Sequence, residues 1–332
     1  MSAPTTEAPP ETTRDADESL TGLAPGGIAP ATNRHRPQGP SGVSRRAGWF
    51  FVLPNVVGYL AFTAIPVLFA IMIAFTSWNV VSGLGGIRFV GLDNFIDLMT
   101  SSQFWSAVGR TFYYGGISVP LTLILGLLLA LALNSDVIGR GPLRLVFFMP
   151  TIANQIAVGF VWLLMLHPTS GLVNVALSAL GWTEPPAWLT SQSAVIPALI
   201  LIHVWGGVGF QSLILVAALQ SVPTELYEAA QIDGANAWRR FWTITVPALM
   251  PTITFLLIMA LIGQSQGFGL IAFLTQGGPG ASSTTLPYLM YQNGFQFYKF
   301  GYAAAIGLMS FIGVALMAGA FWRFQQDRGM SS

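Results

Sequence analysis

The 332-residue chain has no cysteine, one lysine and three histidines, and only 8% of its residues are charged. The missing cysteine excludes disulfides, thiolate nucleophiles, thiolate zinc sites and iron–sulfur ligation together. The single lysine, Lys299, stands between Tyr298 and Phe300. A phosphate-cradling P-loop needs Gly-Lys followed by Ser or Thr, so the chain has no P-loop ATPase site of its own. His35, His167 and His203 are too scattered for a local metal site, and neither His-Glu-x-x-His nor Gly-x-Ser-x-Gly occurs. A net charge of +1, with arginines in pairs between apolar runs, offers no continuous basic face for nucleic acid. No catalytic residue, metal or bound cofactor is expected. The energy for any work the protein does comes from a gradient or from another chain.

What the chain has in quantity is apolar: 53% of its residues are hydrophobic, and its charged fraction is far below the ~25% of a soluble domain. Residues 1–47 hold ten of the 27 charges, seven prolines, five glycines and no aromatic residue. They bury too little to offset the entropy of ordering and read as a disordered tail. A signal peptide has a basic end and a short apolar core, so this tail is expected to stay in the mature protein. Residues 48–332 then fall into six apolar stretches, at 49–76, 105–133, 145–166, 194–219, 246–274 and 301–322. Each reaches the ~20 residues that cross the hydrocarbon layer. The expectation is an all-α polytopic membrane protein with six transmembrane helices, kinked at Pro54, Pro66, Pro120 and Pro197.

Orientation follows from the basic residues. Arg45, Arg46, Arg140, Arg144, Arg239, Arg240, Arg323 and Arg328 fall on one side of a six-span arrangement, against Arg88, Arg110 and Lys299 on the other. The excess places the first set, and both termini, in the cytoplasm.

The long inner loop, residues 221–245, combines acidic, basic, small and aromatic residues. Pro223 suits a first helical turn, with Glu225 and Glu228 near its positive end. Gly234 permits a turn, and Trp238, Phe241, Trp242 and Thr245 then recur at helical spacing beside Arg239 and Arg240. The segment is a short helix, a glycine turn and an interfacial helix. It is either an amphipathic loop anchored by tryptophans or a docking surface, with Ala229 and Ala230 leaving one face smooth.

Glu228-Ala229-Ala230, Gly234 four residues beyond Ala230, and Ile244-x-Val246-Pro247 resemble the EAA motif of ABC-importer permeases, with Val246 where a Leu usually stands. The run around it, Leu219-Gln220-Ser221-Val222-Pro223 and Ile232-Asp233-Gly234-Ala235, is similar to the carbohydrate-uptake, maltose-type branch. So are Val90-Gly91-Leu92-Asp93-Asn94-Phe95 and Thr275-Gln276-Gly277-Gly278-Pro279. The resemblance implies a multi-pass subunit of a bacterial cytoplasmic membrane that pairs with a second homologous permease. It further implies two P-loop ATPase subunits, which bind the ATP and magnesium, and an extracellular solute-binding protein. Glu228, Ala229, Ala230, Asp233 and Gly234 would dock the ATPase.

Polar side chains inside apolar spans are expensive and face a cavity or one another. Asn154, Gln155, His203, Gln211, Gln264, Ser265 and Gln266 are of this kind, with Trp205, Phe210 and Phe268 as aromatic walls for a small polar solute. Helical spacing groups His203, Gly207 and Phe210 on one face, and Gln264 with Gly267 on another. The alternative role for the polar groups is interhelical hydrogen bonding. The resemblance points to substrate contact by His203, Gly207, Phe210, Gln264 and Gly267, with a neutral mono- or oligosaccharide as substrate. Arg110 either snorkels to the interface or attracts an anion. Rival readings are an importer of glycerol phosphate or another small polar solute, and a gradient-driven transporter. The second lacks mid-membrane carboxylates for coupling.

Overall fold

The computed structural model describes residues 45–135 and 139–326. The expected tail up to residue 44, and Arg328, lie outside the described residues. The chain clusters into two units, Met1–Val57 and Gly58–Ser332. The described part of the first is the greater part of α1 (Arg45–Tyr59), whose residues 49–57 are all exposed and, apart from Asn55, apolar.

In the second unit α2 (Ile65–Ala74) follows a π-helical turn at Leu60–Ala64. An outer loop then leads through α3 (Asp93–Thr100) into the 33-residue α4 (Ser102–Asn134). α5 (Arg140–Ile152) and α6 (Gln155–Met165) form a pair, followed by the short α7 (Leu172–Ala179) and the central α8 (Val195–Gln220). α9 (Thr224–Ile232) and α10 (Ala237–Arg240) make the inner loop. α11 (Val246–Gln266), α12 (Gly269–Leu274), α13 (Leu286–Tyr291) and α14 (Phe300–Gln326) complete the chain. Among the described residues there is no strand, only isolated bridges pairing Thr76 with Phe89 and Asn79 with Lys299.

Trp49–Ala74, Ser102–Asn134, Val195–Gln220, Ala237–Leu274 and Phe300–Phe321 are long and apolar enough to cross a membrane. The pair Gly141–Ile152 and Gln155–Met165 is together long and apolar enough for a sixth, but is bent by 102° at the break, as in a broken span or a re-entrant loop. The stretch expected as one helix over residues 145–166 is therefore broken. Asn154 adopts an extended backbone, and its side chain accepts from the Ile156 N–H at 2.8 Å, capping α6. At the end of α5 the Thr151 hydroxyl donates to the Gly206 carbonyl of α8 at 3.2 Å. Asn154→Ala should lower stability by about 1 kcal/mol, read as a lower thermal-unfolding midpoint in detergent; an unchanged midpoint would show that the cap is dispensable.

Two of the four prolines expected to kink their spans lie in uninterrupted helices. α4 runs through Pro120, and Pro197 lies in the first turn of α8, where its missing N–H costs no helical bond. Two π-helical distortions lie just ahead of prolines at helix starts. π-helical turns at Leu60–Ala64 and Phe241–Thr245 end two residues before Pro66 and Pro247. Each widens the turn whose carbonyl the proline cannot satisfy.

α8 is the hub, packed along α4 and across α5. Its glycines set these approaches. A Cβ on Gly209 would overlap the Phe147 carbonyl of α5, and one on Gly207 would lie 2.9 Å from the Thr122 methyl of α4. Close packing through small residues replaces the hydrophobic drive that lipid does not supply. Outside this core, Phe62, Phe112, Leu164 and Phe311 are among many large apolar side chains left exposed, as a lipid-facing surface requires.

Candidate functional site

A cavity of about 310 Å³ opens where the bent pair meets the end of α11. Its walls come from Tyr114 on α4, Thr151 and Gln155 at the break between α5 and α6, His203 and Gly207 on α8, and Gln264 and Gly267 at the end of α11. Gly267 is extended and interrupts the apolar run between α11 and α12, so two broken spans meet here. Irregular backbone at membrane depth is tolerated where it lines such a hollow.

Inside the cavity Tyr114 packs edge-on against His203, ring centroids 5.7 Å apart. Gln264 is buried, and its amide donates to the Ser118 hydroxyl at 3.1 Å. Gln155 is exposed to the space, with its Oε1 3.5 Å from the point a Cβ on Gly269 would occupy. The lining offers hydroxyl, amide and imidazole groups and no charged side chain.

Of the five residues expected to contact substrate, His203, Gly207, Gln264 and Gly267 converge on this cavity and Phe210 does not line it. Phe210 shares the face of His203 but lies seven residues away, about 10 Å along the axis, where it is 46% exposed. Gly207 also has a packing role against Thr122. Neither other expected aromatic lines the cavity. Trp205 faces an adjoining apolar hollow and packs on Trp162, and Phe268 stacks on Tyr291 at 4.8 Å. Tyr114 takes the aromatic place; a tyrosine within a glycine-containing apolar run was its only sequence signal. Gln211 sits apart, buried against Gly126 with its Oε1 unpartnered, and Arg110 does not line the cavity.

The inner loop is a separate feature. α9 presents Glu228 and Ala229 exposed, with Ala230 half-buried, and ends at Asp233. Gly234 follows in the left-handed region (φ 75°), which a side chain would resist. The Ala235 N–H returns to the Ala230 carbonyl at 2.8 Å, and Asn236 caps α10 through the Arg239 N–H. The Tyr227 hydroxyl meets the Thr245 hydroxyl at 3.0 Å, tying α9 to the turn that leads into α11.

Residues 102–327 match the model of the binding-protein-dependent transport system inner membrane component. The chain belongs to this family. The permease is 34% identical over 267 residues to the trehalose/maltose transport system permease protein MalF of Thermococcus litoralis, covering 80% of this chain and 89% of the relative. It is 33% identical to the diacetylchitobiose uptake system permease protein NgcF of Streptomyces coelicolor, covering 84% of each. Among solved structures it is similar to a chain of a bacterial ABC transporter involved in the import of the acidic polysaccharide alginate. The TM-score is 0.74 and the identity 26%, with 86% of this chain and 96% of that one covered. The permease is likewise similar to a chain of a bacterial alginate ABC transporter in complex with an alginate pentasaccharide-bound periplasmic protein, with a TM-score of 0.75. The permease is thus a multi-pass inner-membrane transport component that works with a binding protein. As a permease subunit it is a transport component and not a catalyst.

Proposed function

We propose that the permease carries a neutral mono- or oligosaccharide through the Tyr114–His203–Gln264 cavity, in an importer driven by ATP hydrolysis on separate subunits. The observation that carries this reading is the uncharged, hydroxyl- and amide-lined hollow at two broken spans. Neutral sugars are recognised by such groups beside an aromatic wall, and an acidic sugar would need a cationic partner that the lining lacks. The trehalose/maltose and diacetylchitobiose permeases carry names of the same substrate class.

In this reading a second similar permease completes the pathway, and both termini and the α9 loop face the cytoplasm, where two P-loop ATPase subunits dock. Glu228, Ala229 and Ala230 form the docking face, and Asp233 and Gly234 shape the turn. His203, Gln264 and the unbonded Gln155 hold the sugar hydroxyls, while Gly207 and Gly267 keep backbone close to it.

The test is uptake into proteoliposomes carrying the complex purified through this chain, with labelled maltose, trehalose and diacetylchitobiose. Gln155→Ala and His203→Ala should each raise the half-saturating sugar concentration about tenfold, the usual cost of one unmade hydrogen bond in a polar site. Unchanged saturation in both variants would remove the cavity as the sugar site. Uptake that persisted without ATP and collapsed with an uncoupler would replace the ATP-driven reading with a gradient-driven one.

A further inference from the structure

Just beyond the Gly234 turn, three aromatic rings form a compact exposed group. Trp238 stacks on Phe241 at 6.2 Å and meets Trp242 edge-on at 5.7 Å, and Phe241 meets Trp242 at 5.2 Å. Trp238 is 70% and Trp242 52% exposed, so the rings cover one another and little else. Arg239 and Arg240 lie between them in the chain. The backbone of Arg239 is engaged, its N–H with the Asn236 side chain and its carbonyl with the Thr243 hydroxyl. Among the described residues neither guanidinium and neither indole N–H has a hydrogen-bond or ion-pair partner. Glu225, Glu228 and Asp233, the acidic groups on neighbouring α9 and its end, form no ion pair with the arginines.

The position of this group fixes the chemistry of what it meets. It stands at the start of Ala237–Leu274, an apolar run of 38 residues able to cross the bilayer, and the ends of such runs are where tryptophan accumulates, at the level of the lipid headgroups. Indole N–H groups and guanidinium forks are matched donors for phosphate oxygens, and the ring faces suit the first methylenes of an acyl chain. Two unpaired positive charges favour a headgroup with net negative charge over a zwitterionic one.

We propose that Trp238, Arg239, Arg240 and Trp242 form a binding site for the headgroup of an anionic phospholipid, such as phosphatidylglycerol. The site does not depend on which solute is carried. It anchors the inner loop to the membrane surface directly beside the turn at Gly234.

Native mass spectrometry of the full-length chain, titrated with phosphatidylglycerol or with phosphatidylcholine of the same acyl chains, tests this. The wild-type chain should bind phosphatidylglycerol preferentially. Arg239→Gln and Arg240→Gln should each reduce that preference about fivefold, and the double variant about 25-fold. Arg239→Lys/Arg240→Lys should keep most of it, and Trp238→Leu/Trp242→Leu should weaken both lipids together. Neither guanidinium makes an internal hydrogen bond or ion pair, so the glutamine variants should unfold close to the wild-type temperature; each single variant is informative if the double variant is not recovered. Three results would overturn the proposal. The first is an unchanged lipid preference in the glutamine variants. The second is displacement of phosphatidylglycerol by millimolar inorganic phosphate, which would mark a free-anion site. The third is loss of the preference when the full complex assembles, which would mean that a partner protein covers this face.

Discussion

Glu228→Lys should reduce ATP-driven uptake to background while the chain still accumulates in the membrane at wild-type level. Glu228 is exposed on α9 and makes no hydrogen bond or ion pair within the described chain, so reversing its charge removes no internal contact. The effect must then fall on whatever docks there. Opposing charges at a docking surface cost several kcal/mol when one is reversed, enough to abolish the productive complex. Proteoliposome uptake and co-purification of the ATPase are the paired readouts. Normal uptake in the variant would remove Glu228 from coupling, whatever happened to the sugar site.

The second large effect is predicted at the crossing of α5 and α8. Gly209→Ala puts a Cβ onto the Phe147 carbonyl, and backbone cannot rotate away as a side chain can. The two helices must separate, which costs at least the ~1–3 kcal/mol of an overpacked core and outweighs the ~1 kcal/mol that alanine gains over glycine in a helix. Gly207→Ala should cost less, because the obstacle at 2.9 Å is a methyl of Thr122. Gly206→Ala meets open space, so only the helix preference for alanine remains and the variant should gain up to about 1 kcal/mol. Thermal unfolding in detergent should therefore rank the variants Gly206→Ala, Gly207→Ala, Gly209→Ala from most to least stable. Equal midpoints for the three would mean that α5 does not hold α8 closely in the membrane.

The spans were readable because hydropathy over twenty residues depends little on tertiary detail, and their expected limits fall within a few residues of the helices for the first, second, fourth and sixth. The break in the third was not. Asn154 lies in a run that is as apolar as a straight span, and only a cap formed by its own side chain, with Thr151 tied to α8, turns the chain there. Within the site, His203 and Gln264 stood out as polar groups in apolar surroundings. Tyr114 did not, since a tyrosine in a span reads as packing until its neighbours are known. Phe210 shows the limit of face arguments: helical spacing gives angle, while a cavity also has a length. In the inner loop the glycine was legible because a left-handed turn leaves few residue choices.

The bent pair also bears on how the chain enters the bilayer. α5 has 13 residues and α6 has 11, about 20 Å and 16 Å of helix, and neither alone crosses a ~30 Å hydrocarbon layer. During synthesis both emerge before α8, whose Gly209 packs against Phe147 of α5 and whose Gly206 holds Thr151 just ahead of the break. Until α8 is made, the open backbone at Ala153 and Asn154 has no protein to shield it from lipid. Insertion of the bent pair is therefore expected to wait for α8, and a nascent chain halted before α8 should leave α5 and α6 outside the hydrocarbon.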